Sequence, residues 1–287
     1  MSLSKDDLAD VESLAVELAA AAGATITASL SRTLAVKYKA SDDTDRPWRD
    51  PVSEVDGAVE VMIRARLADR FPSHDILGEE IAERPVLNGD VIWSIDPVDG
   101  TTNFISGFPL FSCSIGILDK GRPVAGALWC STSHALRSGT YHTRLGRPVS
   151  FDGTDLDSAP NPAVRNRLVG VPKGGHAHGG VFDTRQTGSS AIECAFVAAG
   201  LMSAARFERP NVWDVAGGIA LVLAAGGTVL VGDGEGRFRL FEGFMSGPGA
   251  ARDPGEWRRP LIIGHEATVR EIAEREEARA EERGETV

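Results

Sequence analysis

Apolar residues recur at helical spacing near the start of the chain and later give way to short apolar runs. From Ser4 to Ala22, Leu8, Val11, Leu14, Ala15 and Leu18 fall on one helical face, with Ser4 as N-cap and Asp7 three residues on. The stretch from Ala40 to Pro51 is polar; Pro47 and Pro51 exclude a helix through it, and its acids read as a solvated loop. A second amphipathic helix is predicted from Ser53 to Arg70, with Val55, Val59, Met62, Ile63 and Leu67 inward and Phe71-Pro72 as its stop.

The pattern then shortens. Asp75–Leu77 and Val91–Asp96 read as strands, the second ended by Pro97. Phe111–Leu118 and Pro123–Cys130 form a hairpin through Asp119-Lys120-Gly121, and Tyr141 lies in a further strand. Residues 146–163, rich in Gly, Pro, Asp and Ser, read as a linker. Beyond it, strands at Leu168–Val171, Met202–Phe207, Thr228–Val231 and Leu261–Ile263 alternate with helices at Ser189–Ala199 and Trp213–Ala225. A charged helix from Glu266 closes the chain. The prediction is sheets packed between helices: an α+β half over residues 1–150 and an α/β half over 151–287.

Composition narrows the function. At 287 residues, 42% hydrophobic and 25% charged, the chain is an ordinary globular protein rather than a disordered, fibrous or disulfide-stapled one. Its 30 Lys+Arg against 41 Asp+Glu give a net charge of −11, which disfavours nucleic acid binding by a basic face. Cys113, Cys130 and Cys194 are scattered in apolar stretches and read as reduced core thiols. With no basic leader and no uninterrupted apolar run of bilayer length, the expectation is a cytoplasmic protein without membrane partners.

The chemistry concentrates in Trp93-Ser-Ile-Asp96-Pro-Val-Asp99-Gly-Thr101-Thr-Asn-Phe104. Asp96 and Asp99 flank a turn that can aim both carboxylates at one point, and two acids that close ionise cheaply only around a cation. A hard divalent ion takes such oxygens together with a main-chain carbonyl like that of Val98. The N–H groups opening at Gly100-Thr101 can cradle phosphate. Taken alone, the stretch fits equally an Asp-Pro turn followed by an Asp-Gly turn. Other acids stand apart: Glu79 and Glu80 after the short Ile76-Leu77 run, Asp56 early in the second helix, and Asp214 opening an apolar helix. Individually these read as a solvated loop, a surface acid and an N-cap.

In order, Val-Ser-x-x-Asp at 52–56, Gly-Glu-Glu at 78–80, Asp-Pro-Val-Asp-Gly-Thr-Thr-Asn-Phe at 96–104 and Trp-Asp-Val-Ala-Gly-Gly at 213–218 resemble the inositol monophosphatase family of Mg²⁺-dependent, lithium-sensitive phosphatases. The resemblance implies a layered αβαβα sandwich of the fructose-1,6-bisphosphatase type, a homodimer, and a small phosphorylated substrate. It implies that Glu79, Asp96 and the Val98 carbonyl hold a first Mg²⁺, and that Asp96, Asp99 and Asp214 hold a second. A third ion would sit near Glu79 through water. Gly100 and Thr101 would bind phosphate, while Thr101 with Asp56, or alternatively Glu79, would serve the attacking water. Direct hydrolysis of inositol monophosphate is the leading expectation. Histidinol phosphate, fructose 1,6-bisphosphate and a 3′-phosphoadenosine nucleotide are the alternatives, and a transcription-associated interaction protein of the same fold is the alternative of another class.

The substrate end departs from the family pattern. The inositol enzymes carry a hydroxyl-binding Glu seven residues before the Trp-Asp aspartate, where this chain has Phe207, with Glu208 one step closer. A shorter loop would restore Glu208; Arg206 or Arg209 could instead meet a second anionic group. Ser189 and Ser190 match a segment that touches substrate through main chain. Four look-alikes carry less. Gly232–Gly236 precedes a strand pattern rather than a dinucleotide helix, and His176 and His178 lack a third ligand nearby. Asp152, Asp155 and Asp157 lack the closing Glu of a calcium loop, and Cys130 and His134 lack an oxyanion loop.

Overall fold

The structure, a computed structural model, describes residues 3–39, 50–81, 87–157, 163, 167–172, 181–234, 236–246 and 253–282. Helix α1 (Lys5–Ser29) starts on a capping box in which Ser4 and Asp7 satisfy each other's main-chain N–H. Strand β1 (Val36–Tyr38) pairs antiparallel with β2 (Pro51–Ser53), and α2 (Glu54–Arg70) starts on a second such box between Ser53 and Asp56.

The first sheet contains β3 (Asp75–Gly78), β4 (Val91–Asp99), β5 (Ser112–Asp119), β6 (Arg122–Cys130), β7 (Gly139–Arg144), β8 (Ser150–Phe151) and β9 (Thr154–Asp155), hydrogen-bonded in that order. Only β3 runs parallel to its neighbour β4; each later pair is antiparallel. The five-residue α3 (Thr101–Ile105) follows β4. The second half supplies β10 (Leu168–Gly170), β11 (Asp183–Arg185), α4 (Ser190–Ala198), β12 (Ala204–Phe207), α5 (Val212–Ala224), β13 (Thr228–Gly232), β14 (Phe238–Leu240), β15 (Leu261–Gly264) and α6 (Glu266–Glu282). Its sheet runs β11-β10-β12-β15-β13-β14.

The layers follow from which faces are apolar. Trp93, Ile95, Ile115 and Ile117 pack with Leu14, Leu18, Val59 and Ile63 of α1 and α2. The opposite face, with Ile92, Leu118, Leu128 and Tyr141, packs on α4 and α5, which also meet Ala205, Val229 and Ile263 of the second sheet. Val169, Leu230 and Ile262 then cover Val269 and Ile272 of α6. Helix, sheet, helix, sheet, helix is the expected αβαβα sandwich. Burial on both faces explains why β4 and β5 show no regular alternation of apolar and polar residues.

Several expectations are corrected. Helix α1 extends beyond Ala22 to Ser29 and is, by length and composition, long and apolar enough to cross a membrane. Half of its apolar window is nonetheless buried inside the protein. Its interrupting acid Glu12 is buried too, paired with His142 at 2.8 Å and with Arg144. Those are the marks of a core helix. Strand β4 continues through Pro97 to Asp99 because its pairing with β5 shifts register between Asp96 and Asp99. Proline at such an irregularity has no ladder donor to withhold. Within 146–163, β8 and β9 extend the first sheet beyond residue 150. The short β1, β2, α3 and β11 carried no periodicity long enough to read. The cysteines are buried and free, and the residues after Gly236 form strand β14, as expected. The 40–49 stretch and the His176/His178 loop lie outside the described residues.

Helix α5 approaches the first sheet at backbone distance. A Cβ on Gly126 would stand 2.5 Å from the Gly217 carbonyl, and one on Gly116 would stand 2.5 Å from the Gly217 nitrogen. Gly126→Ala must therefore push α5 away, and overpacking of this kind costs about 1–3 kcal/mol. The expected result is a lower urea midpoint at unchanged slope; a wild-type midpoint would show that the helix–sheet contact is loose.

Candidate active site

Three chain segments bring acids to one point. Because β3 and β4 are parallel neighbours, Gly78 pairs with Ile95, and the Glu79 N–H donates to the Ile95 carbonyl at 3.2 Å. This sets Glu79 beside Asp96. The third acid, Asp214, lies in the first turn of α5 and accepts from the Asn211 N–H at 2.7 Å. Ser114, the β5 partner of Asp96, donates its hydroxyl to the Trp213 carbonyl at 3.1 Å and so fixes that turn to the sheet. One carboxylate oxygen from each of Glu79, Asp96 and Asp214 then lies within 4.8 Å of the others.

Asp99 faces the second half of the chain. Its Oδ2 accepts from the Ser112 hydroxyl at 3.1 Å, the Ala191 N–H at 2.8 Å and the Ser189 hydroxyl, while Oδ1 accepts, among the described residues, only from the Ser190 N–H at 3.2 Å. Gly100 adopts the left-handed conformation (φ 84°), and no side chain caps the start of α3. The Thr101 hydroxyl stands 2.9 Å from the Val98 carbonyl and 3.1 Å from Asp56 Oδ1. Ser53 donates both its hydroxyl and its N–H to Asp56 Oδ2.

The electrostatics are those of acids crowded away from water. Burial raises Asp96 well above the ordinary carboxyl range, and the charges of Glu79, Asp99 and Asp214 raise it further. Burial likewise raises Asp214, helped by Asp99 and Glu79. Asp99 is pushed up to about 6 by burial, with Ser189, Ala191 and Ser112 pulling the other way. Burial also raises Asp56, against the hydrogen bonds from Ser53 and Thr101. The Lys39 ammonium meets Glu79 at 2.7 Å and Glu80 at 2.8 Å. Burial opposes its charge, but the two carboxylates hold its pKa above the ordinary value. One ammonium cannot neutralise this many acids. Such a set is suited to a hard divalent cation bound through oxygen.

The inositol monophosphatase family model matches residues 7–254. The chain belongs to the inositol monophosphatase family. Its similarity to inositol monophosphatase 1 of Sus scrofa is 31% identity over 240 residues, covering 75% of this chain and 81% of that protein. Similarity to the Nus factor SuhB of Escherichia coli is 32% identity over 209 residues, covering 68% and 78%. The extragenic suppressor protein suhB from Bartonella henselae superposes with a TM-score of 0.72 at 24% identity, covering 93% of this chain and 98% of that one. A Thermotoga maritima IMPase gives 0.72 at 23% identity, over 95% and 99%. These two structures bear on the fold alone. The family consists of metal-dependent phosphatases, so this inositol monophosphatase relative is an enzyme that hydrolyses phosphomonoesters.

Of the site residues expected from the family motifs, Glu79, Asp96 and Asp214 converge on one point and Thr101 meets both Asp56 and the Val98 carbonyl, whereas Asp99 lies outside that three-acid group, with Gly100 next to it in the chain. Ser189 and Ser190 join Asp99. Glu208 does not: its side chain is 63% exposed and its carboxylate is taken by Arg206, which Glu276 of α6 grips at 3.0 Å. Phe207 is buried in the core. Lys39, Ser112 and Glu60 were missed. Glu60 had one usable signal, an acid four residues after Asp56 on an otherwise apolar helix face. Cys130 and His134 form no dyad, since His134 Nδ1 instead meets the Tyr141 hydroxyl at 2.8 Å.

The raised carboxyls set a pH dependence for the metal-free protein. Asp99 titrates at about 6 when folded, against 3.8 ordinarily. Its stabilising contribution is thus fully present below pH 3.8 and is lost as the pH rises through about 6. Asp96 and Asp214 act in the same direction. In chelator, the unfolding free energy of wild type relative to Asp99→Asn should fall between pH 4 and pH 6, as measured by urea unfolding. A flat difference would show that Asp99 ionises freely in the fold.

Proposed function

We propose that this enzyme is a Mg²⁺-dependent phosphatase of a small phosphorylated polyol, with inositol monophosphate as the leading substrate. The observation carrying this reading is the convergence of Glu79, Asp96 and Asp214 within 4.8 Å, with the Thr101 hydroxyl set between Asp56 and the Val98 carbonyl. Two or three Mg²⁺ ions fit the donors. Glu79, Asp96 and the second lone pair of the Val98 carbonyl suit the first. Asp96, Asp214 and the less engaged Oδ1 of Asp99 suit the second. A third would lie at Glu79 through water. Bound there, Mg²⁺ supplies the charge that acidifies a water and stabilises the leaving alkoxide.

The chain's own groups do the rest. The uncapped N–H groups of Gly100 and Thr101 hold the phosphate, and Ser189 and Ser190 border it through main chain. Thr101, supported by Asp56, orients the attacking water, and as its hydroxyl takes the water's proton it passes its own to Asp56 Oδ1. Glu79 is the alternative, but its ion pair with Lys39 favours Thr101. Water attacks phosphorus in line, the ester oxygen leaves, and no protein nucleophile takes part. Homodimeric assembly and a cytoplasmic location complete this reading. Phe108, half-exposed on the loop after α3, offers an apolar surface to a second copy.

Glu208 contributes to polyol recognition only if it leaves Arg206. Histidinol phosphate, fructose 1,6-bisphosphate and a 3′-phosphoadenosine nucleotide therefore belong in the same kinetic comparison. The highest kcat/KM is expected for inositol monophosphate. Asp96→Asn should lower it by about a thousandfold, equivalent to about 4 kcal/mol. Absence of phosphate release from all four compounds would overturn the reading. The similarity to the Nus factor SuhB favours a second one, a partner in transcription complexes. Binding of RNA polymerase by Asp96→Asn at wild-type strength would support it, and failure to bind in either form would remove it.

A further inference from the structure

Helix α2 reaches the acid cluster at two places one turn apart. Asp56 faces Thr101, and four residues on, Glu60 faces the turn that carries Glu79. Glu60 is completely buried. Its Oε2 accepts from the Glu80 main-chain N–H at 2.7 Å, and its Oε1 accepts from Arg64 Nε at 2.7 Å. A Cβ on Gly78 would stand 2.2 Å from Glu60 Oε1. The carboxylate therefore occupies the space that the glycine of Gly78-Glu79-Glu80 leaves open.

Apolar side chains fill the neighbouring α2 positions Val59 and Ile63, and a buried charge is a costly way to fill space. What the charge adds here is a strong, directional bond to one main-chain N–H. That bond lies next to Glu79, whose carboxylate meets two other acids. Glu79, Asp96 and Asp214 crowd one another, and Glu79 stands just past the end of β3, outside its strand pairing. Lys39 draws Glu79 and Glu80 together through their side chains, but its own side chain is 29% exposed. Beside the main-chain bond from the Glu79 N–H to Ile95, the side chain that tethers the backbone of this turn from within the protein is Glu60.

We infer that Glu60 is a positioning residue: it locks the Gly78–Glu80 turn so that Glu79 already stands against Asp96 and Asp214 before a cation arrives. This rests on the reading of Glu79 as a metal ligand. Glu60 touches neither substrate nor reacting atoms, so its effect should appear in the Mg²⁺ requirement ahead of the chemical step.

The test is the Mg²⁺ concentration that half-saturates the rise in Tm, measured without substrate on the full chain, with the Tm in chelator as the control for folding. Glu60→Leu should raise that concentration about 10-fold or more. Glu60→Gln, whose amide oxygen still accepts from Glu80 while its NH2 replaces the acceptor of Arg64 Nε, should shift the requirement less than Glu60→Leu. Gly78→Ala, which drives a methyl group into the carboxylate, should raise it as well. Glu60→Leu should add nothing on a Glu79→Gln background, because the tether acts only through Glu79. A wild-type Mg²⁺ requirement in folded Glu60→Leu overturns the inference, and Gly78→Ala decides in its place if that variant does not fold. Full additivity with Glu79→Gln overturns it too. If Glu79→Gln alone keeps the wild-type requirement, Glu79 is not a ligand, and the metal assignment falls together with the tether.

Discussion

Carboxylates held against one another out of water repel, and the elements around the cluster can be understood as what keeps them there. Glu79, Asp96 and Asp214 come from the ends of two parallel strands and from the first turn of a helix on the far side of the sheet. None could stay on its own. A carboxylate past a strand end swings out to solvent, and one in a helix's first turn folds back on its own N-cap. The first tendency is countered here, while Asp214 does fold back on the Asn211 N–H and is placed by fixing the turn that carries it. The Glu79 N–H is tied to Ile95, the Glu80 N–H to Glu60, and the α5 turn to the sheet through Ser114.

That last tie needs α5 to lie almost on the backbone of β5 and β6. The glycines make this possible: Gly116 and Gly126 of the strands face Gly217 of the helix, with no Cβ between them. Substrate-facing chemistry and core packing are thus coupled. Loosening the contact by one methyl group would move Asp214 along with the helix, since Asp214 sits three residues before Gly217. The same economy appears on the opposite face of the sheet, where one helix, α2, supports Thr101 through Asp56 and the Glu79 turn through Glu60.

The acids themselves were legible in the sequence because motif spacing survives without coordinates: strand–Asp-Pro-Val-Asp-Gly-Thr and Trp-Asp at a helix start are local patterns. The long helices and paired strands were legible for the same reason, since their periodicity extends over many residues. What failed were features set by tertiary contact. Pro97 reads locally as a strand end, yet β5 absorbs it in a register shift. The 146–163 stretch reads as a linker by composition, yet within it the two-residue strands at 150–151 and 154–155 extend the sheet edge. Glu208 was a candidate by position alone, and only the structure reveals that Arg206, itself gripped by α6, already holds it. Lys39 looks like an ordinary surface charge until the fold brings Glu79 and Glu80 to it, and the acid of Glu60 on its apolar helix face has no partner to read until Glu80 arrives.

The formal charge of −11 and a phosphate ester substrate are at odds only while every acid is counted as surface. Asp56, Asp96 and Asp99 are buried, and burial favours their neutral forms. The charge that remains in the cleft is offset locally by Lys39. Divalent cations on the remaining oxygens would carry the local field past neutrality, while the distant surface stays acidic and continues to repel polyanions. Global charge and local potential thus answer different questions. The first bears on a long anionic polymer that must lie along the surface. The second admits a single phosphate that enters one cleft, and it makes the cation as necessary for binding that phosphate as for cleaving it.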